Sequence, residues 1–252
     1  MDLKIVKKDF EAIQPLRALF LQENNFQVRY DSCHWRGWAD EYVLTFDGDV
    51  PIGYGSVKGQ DDLKLRDAIF EFYLVPAYRH KSSQVFNELI KTSGVRFIEC
   101  QTNDLILAPM LYEFCKNIFS DVILFKDGPL TYHSFDDVIF REKLDSDRLF
   151  EHHSEPEGDY VLEKNGEIVG SGGFLLHYNK PFADLYMEVQ AQRRRKGYGS
   201  FLIQEVKKAC YLAGRVPAAR CNITNAASKA TLLKGGMEIA GYMLTGEVNT
   251  GS

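Results

Sequence analysis

The chain repeats itself. EYVLTFDGDVPIGYGSV (residues 41–57) and DYVLEKNGEIVGSGGF (residues 159–174) align so that Tyr42-Val43-Leu44 falls on Tyr160-Val161-Leu162. Asp47-Gly48 then falls on Asn165-Gly166, and Gly53-x-Gly55 on Gly170-x-Gly172. Each stretch alternates apolar residues around Asp-Gly or Asn-Gly, the strongest short-range signal for a β-hairpin. The repeat runs on: AIFEFYLVPAYRHKSSQVFNELI (68–90) lies on ADLYMEVQAQRRRKGYGSFLIQE (183–205), which places Arg79 on Arg194 and Lys81 on Lys196. In both copies a further strand-like stretch follows, VRFIECQTND (95–104) and ARCNITNA (219–226), and then a helical pattern at 105–119 and 227–234. A period of roughly 115–120 residues is far too long for a solenoid. It constrains the chain to two copies of one mixed α/β domain, each a twisted mixed β-sheet flanked by helices, divided as 1–128 and 129–252.

The copies differ at one place. In the second, an apolar strand (Leu185 to Val189) leads into Arg193-Arg194-Arg195-Lys196, then Gly197-Tyr198-Gly199, then a helix with Leu202, Val206, Ala209 and Ala213 on one face. A strand, a glycine turn and a helix start form an anion site: free N–H groups point outward, the helix dipole adds positive potential, and glycine permits close backbone approach. The flanking arginines suit phosphate. The first copy has Ser82 and Gln84 in place of the two glycines, so its loop reads as degenerate and empty.

Arg194-x-x-Gly197-x-Gly199, after a strand and opening a helix, resembles the coenzyme A signature of the GNAT N-acyltransferase superfamily, Arg/Gln-x-x-Gly-x-Gly/Ala. No G-x-G-x-x-G enters a helix from a strand, and no Gly-Lys-Ser/Thr P-loop occurs. The resemblance implies acetyl-CoA in a cleft between splayed parallel strands. Met187 and Val189 would meet the pantetheine arm through their backbone, and Arg194, Arg195, Lys196, Gly197, Tyr198 and Gly199 would wrap the pyrophosphate. Asn225, with Ser228 three residues later, matches the family's N-x-x-S/A; Asn225 would bond the pantetheine side, cap the next helix, or do both. The implied reaction is direct attack of an amine on the acetyl thioester, the acceptor being a small molecule or a peptide. Glu188 is the candidate base, or else a solvent-facing or lysine-paired strand glutamate. The tyrosine that many members place seven residues after the asparagine, as acid for the leaving thiolate, is Leu232 here. Leu232 and the degenerate first loop keep a second reading open, a non-catalytic acyl-CoA-binding module.

Composition removes other classes. A net charge of −5 opposes a nucleic-acid role for the arginine cluster. Five scattered cysteines without C-x-x-C spacing fit reduced buried thiols, and no metal site is expected from His152-His153 or His177. No apolar run approaches a membrane span and no secretory segment opens the chain, so the expected setting is cytoplasmic. Four local expectations complete the reading. Pro15 breaks or delays the first helix. Trp35 and Trp38 either pack a second helix (within 26–39) on the sheet or line a pocket. Residues 120–140 form a hairpin through Asp127-Gly128, or Leu130 to Phe135 opens the second copy. Residues 141–158 form a short helix and loop.

Overall fold

The computed structural model describes residues 3–27, 31–48, 50–62 and 64–249. The chain divides into two units, one made of Met1–Asp121 with Gly241–Ser252, the other of Val122–Ala240. Both are mixed α/β.

The first unit begins with β1 (Leu3–Lys8) and α1 (Phe10–Glu23), then a short α2 (Asp31–Trp35), the hairpin β2 (Ala39–Phe46) and β3 (Pro51–Lys58), and β4 (Ala68–Leu74). A 3-10 turn, Pro76–Lys81, runs into α3 (Ser82–Ser93), followed by β5 (Phe97–Gln101), α4 (Leu107–Phe114) and β6 (Cys115–Asp127), within which the chain leaves this unit. The second unit continues with β7 (Val138–Glu142), the hairpin β8 (Tyr160–Lys164) and β9 (Glu167–Leu175), and β10 (Phe182–Val189). A short 3-10 turn precedes α5 (Tyr198–Leu212), then come β11 (Val216–Asn222), α6 (Ala226–Lys234) and β12 (Met237–Val248), which re-enters the first unit at Gly241.

Strand order within the first unit is β1-β2-β3-β4-β5-β12, and within the second β7-β8-β9-β10-β11-β6. The repeat therefore governs topology, with one exchange. Met243–Glu247 of β12 pairs antiparallel with β5, while Val122–Lys126 of β6 pairs antiparallel with β11. The expected division at 128/129 gave the last strand to the second copy. Its hydrogen bonds to β5 give it to the first.

Both hairpin turns sit where the sequence puts them. Asn165 (φ 52°) and Gly166 (φ 78°) are left-handed, as a tight turn that follows the strand twist requires, and Asp47 (φ 45°) does the same in the first copy. Helix α1 runs unbroken through Pro15, because Ile13, Leu16 and Phe20 pack with Val43, Tyr54 and Tyr73 and outweigh the lost backbone bond. Trp35 is 67% exposed, edge-on to Phe10, so it does not fasten α2 to the sheet. Residues 28–30 of the expected second helix lie outside the described residues.

The joining region departs most from expectation. Residues 120–140 form no hairpin, since β6 pairs with β11 and β7 with β8. Leu130 to Phe135 is irregular, and Val138–Glu142 takes the edge position that β1 has in the first unit. The helical pattern at 105–119 stops at Phe114 and becomes strand at Cys115. No helix forms within 141–158. Polar side chains tie the irregular stretch to α5 instead: the buried Lys207 ammonium donates to the Gly128 and Pro129 carbonyls at 3.3 Å and lies 3.0 Å from Asp127, and Gln204 Oε1 accepts from the His133 N–H at 2.7 Å.

Candidate active site

β10 and β11 are parallel partners over Phe182–Asp184 and Val216–Ala218. Beyond Asp184, β10 keeps its antiparallel neighbour β9 as far as Val189, while the β11 side opens. The direction of the free backbone groups follows from the ladder. The Gln190 N–H donates to Val169, and the Tyr186 carbonyl lies so close to β9 that a Cβ on Gly172 would sit 2.8 Å from it. Alternate residues point their backbone the other way, so Met187 and Val189 present theirs to the open edge. In the first unit β4 and β5 likewise pair over Ala68–Ile69 before separating.

At the top of the open edge stands the basic loop. Arg195 (φ 62°) and Gly197 (φ 89°) are both left-handed, turning the chain so that α5 begins at Tyr198 with its N-terminus toward the opening. A side chain at Gly197 would carry the left-handed penalty and would also meet the Phe135 ring at 3.2 Å. Gly199 lets α5 approach Thr231 of α6, whose methyl would lie 2.9 Å from an added Cβ. Arg194 turns back on the strand: its Nε–H donates to the Val189 carbonyl at 3.0 Å, and Nη2 lies 3.2 Å from Glu188. Arg193 pairs with Glu167, leaving Arg195 and Lys196 exposed beside the helix start. Tyr198 is buried against Phe135 with Lys164 over its ring, so it is packing and is not placed to donate a proton.

The first unit's equivalent loop is built differently. Its 3-10 turn passes straight into α3, the Ser82 hydroxyl donates to the Arg79 carbonyl at 2.7 Å, and no residue from Pro76 to Gln84 has positive φ. The turn that aims backbone N–H groups outward in the second unit is absent among these residues.

Asn225 caps α6 by accepting from the Ser228 N–H at 3.0 Å. Leu232 is buried in α6. Burial pushes the Cys221 thiol up, as befits a packed residue. Among the described residues no cluster of His, Cys, Asp and Glu could hold a metal ion.

Glu188 departs from its expected role. Its side chain lies on the β10 face away from Met187, which packs toward α5. There its carboxylate accepts from the backbone N–H groups of His153 (3.2 Å), Ser154 (3.1 Å) and Glu155 (3.2 Å), and from Arg194. Burial alone would raise its pKa, but the three backbone donors, with His152 nearby, outweigh burial and hold it below the usual carboxylate value, which makes it a weak base. The adjacent Glu155 moves the other way, pushed up by burial and by the charges of Asp184 and Glu188. Sequence spacing placed Glu188 on this face; nothing local announced the loop that grips it.

Residues 126–234, nearly all of the second unit, match the model of the acetyltransferase (GNAT) family. The whole of that match lies within the second unit. No curated protein matches. Among solved structures, a GNAT-family acetyltransferase from Colwellia psychrerythraea is 14% identical with a TM-score of 0.73, covering 99% of this chain and 100% of that one. A GCN5-related N-acetyltransferase from Sphaerobacter thermophilus is 12% identical with a TM-score of 0.57, covering 99% and 97%. A tandem GNAT protein from the clavulanic acid biosynthesis pathway, solved without AcCoA, is 11% identical with a TM-score of 0.58, covering 100% of both. At these identities the likeness is one of fold.

Proposed function

We propose that the second unit binds acetyl-CoA and transfers its acetyl group directly to an amine. The observation that carries this reading is the left-handed pair Arg195 and Gly197 at the N-terminus of α5, directly above a strand edge left open between β10 and β11. A left-handed turn at a helix start directs successive N–H groups and the positive end of the helix dipole at one point, which suits a pyrophosphate. Arg195 and Lys196 add charge. The outward backbone groups of Met187 and the outward N–H of Val189, whose carbonyl already accepts from Arg194, can receive an amide-bearing pantetheine arm as an added strand would be received. Asn225 and Ser228, which follow β11 and open α6, would face the coenzyme from the other side.

In the transfer step a neutral amine nitrogen attacks the thioester carbonyl, a C–N bond forms, the C–S bond breaks, the thiolate carries off the electron pair, and the proton shed by the nitrogen goes to that thiolate or to water. The protein's main contribution is to hold the two reactants together, an effect worth about 7–11 kcal/mol in the best cases. A thiol with a reference pKa of about 8.5 is a tolerable leaving group, so buried Leu232 in place of a tyrosine does not forbid turnover. The first unit, without the left-handed turn, serves as a structural copy with no coenzyme of its own. The chain's setting is cytoplasmic in this reading, and its partner is a small-molecule or peptide amine, with neither nucleic acid nor a membrane involved. Among the described residues no helix is long and apolar enough to cross a membrane.

Calorimetry with acetyl-CoA on the wild type and on Gly197→Glu, followed by thiol release with a panel of amines, tests the reading. Binding that survives Gly197→Glu would sink it. Binding without transfer to any amine would favour the coenzyme-binding module, which buried Leu232 and the packed Tyr198 motivate.

A further inference from the structure

In the first unit, helix α1 covers the face of β4 that carries Glu71 and Tyr73: Arg17 forks onto Glu71 with two bonds of 3.0 Å, and the Tyr73 hydroxyl donates to Glu23 at 2.7 Å. The repeat places Tyr186 and Glu188 at those two positions of β10. The second unit has no helix between β7 and β8, and the corresponding face is met by the irregular segment 143–159.

That segment is tied at both ends and in the middle. The Lys143 N–H donates to the Asp159 carbonyl at 2.8 Å, closing its base as an extension of the β7–β8 ladder. The Gly158 N–H donates to the Ser171 hydroxyl at 2.8 Å, with backbone approaching so closely that a Cβ on Gly158 would lie 2.1 Å from the Gly172 carbonyl. Arg141 holds Asp147 with two bonds of 2.7 and 2.8 Å. The centre is the grip of Glu188 on three successive N–H groups, at the part of β10 that has lost β11. The first half of the segment does not lie flat: Ser146 to Phe150, with Glu163 and Gln190, borders a hollow of about 510 Å³.

We propose that segment 143–159 is the acceptor-side wall of the cleft, replacing α1 and α2 of the first unit, and that Glu188 is a positioning residue that holds this wall. It does not take the amine's proton. The proposal rests on the acetyl-transfer reading above. Its physical basis is that a carboxylate offers enough lone pairs for three N–H donors and a guanidinium, whereas each donor left unmatched at a partly buried site costs stability. A glutamine at 188 would turn an NH₂ group toward N–H donors and release the segment.

The test uses the full chain, acetyl-CoA as probe, and two variants, Glu188→Gln and Gly158→Ala; the second loosens the wall without touching a carboxylate. Both should speed amide hydrogen exchange at residues 153–155 at least tenfold while leaving acetyl-CoA affinity within about twofold of the wild type. With no amine present, both should raise hydrolysis of acetyl-CoA to acetate and free thiol at least threefold, because the wall keeps water from the thioester. Slower hydrolysis in Glu188→Gln with unchanged exchange would make Glu188 a base and overturn the proposal. Faster exchange with unchanged hydrolysis would overturn the wall. Failure of the wild type to bind acetyl-CoA would overturn both this proposal and the reading beneath it, and calorimetry tells that failure apart from the others.

Discussion

Arg79 and Arg194 make the same hydrogen bond in the two units: each Nε–H donates, at 3.0 Å, to the carbonyl five residues earlier, Leu74 or Val189. Each arginine thus closes the end of a strand whose parallel partner has departed. Their remaining donors diverge. Arg79 reaches Glu23 at the end of α1, and Arg194 reaches Glu188. Arg194→Ala should weaken acetyl-CoA binding on the order of tenfold by loosening the loop. Arg79→Ala should leave binding unchanged and cost about 1–2 kcal/mol of stability through its bonds to Leu74 and Glu23. Calorimetry paired with urea unfolding separates the two.

The left-handed turn gives a graded prediction. Gly197→Ala adds a methyl at φ 89°, where an L-residue costs about 1–2 kcal/mol, and presses on Phe135. Acetyl-CoA affinity should fall about tenfold with a smaller loss of stability. Ser82→Gly in the first unit should not create a second coenzyme site, since the neighbouring 3-10 turn and the Ser82–Arg79 bond show a loop with a different path. Calorimetric stoichiometry reads this directly.

A buried charge cluster in the first unit predicts a pH dependence. His34 lies between Glu41 (2.6 Å) and Glu71 (3.4 Å), and Arg17 forks onto Glu71, which also accepts from Tyr54. Burial works against charge on His34, but the two carboxylates outweigh it and raise its pKa. Its contribution is therefore complete below the ordinary histidine value and lost as pH rises through the raised one. Burial likewise opposes charge on Glu71, yet Arg17 and His34 hold it well below its ordinary value, so its contribution is lost only as pH falls through that lowered value. Unfolding followed by fluorescence of Trp35 and Trp38, both in this unit, should show stability declining on the alkaline side by at most about 1.4 kcal/mol per pH unit. His34→Asn should abolish that slope. Glu71→Gln should cost about 3–5 kcal/mol, the usual result of leaving a buried cation without its partner.

All five cysteines are buried and unpaired in disulfides. Burial pushes Cys33 up to about 11, and Cys115 and Cys210 up to about 12. A thiol-reactive dye should label none of them in the native protein within minutes and all five in denaturant. Rapid native labelling with loss of transfer would place a thiol in the reaction.

The hairpins, the left-handed glycine turn and the helix after it were legible because each is written locally, in a turn dipeptide, a glycine pair or a periodic apolar face. The second unit's wall was not, because Glu188 binds backbone N–H groups, and any residue in segment 153–155 except proline supplies one. Its sequence reads as polar and formless, and nothing in it marks a cover for β10. The fate of Cys115–Asp127 and Met237–Val248 was equally hidden. The first reads as helix as far as Phe119 and as a hairpin arm beyond it, and which sheet a strand joins depends on partners far away in sequence, since alternation along the strand is the same in either sheet.

The exchange of those two strands bears on how the protein must be made. Leu244 pairs with Cys100, so the sheet of the first unit is complete only after the whole of the second unit has been synthesised. Until then β5 presents an unpaired edge, the kind of surface that invites association with another chain. Neither half should be obtainable as a stable fragment cut at the middle of the chain: residues 1–121 alone lack a strand, and adding 241–252 as a separate peptide should restore it.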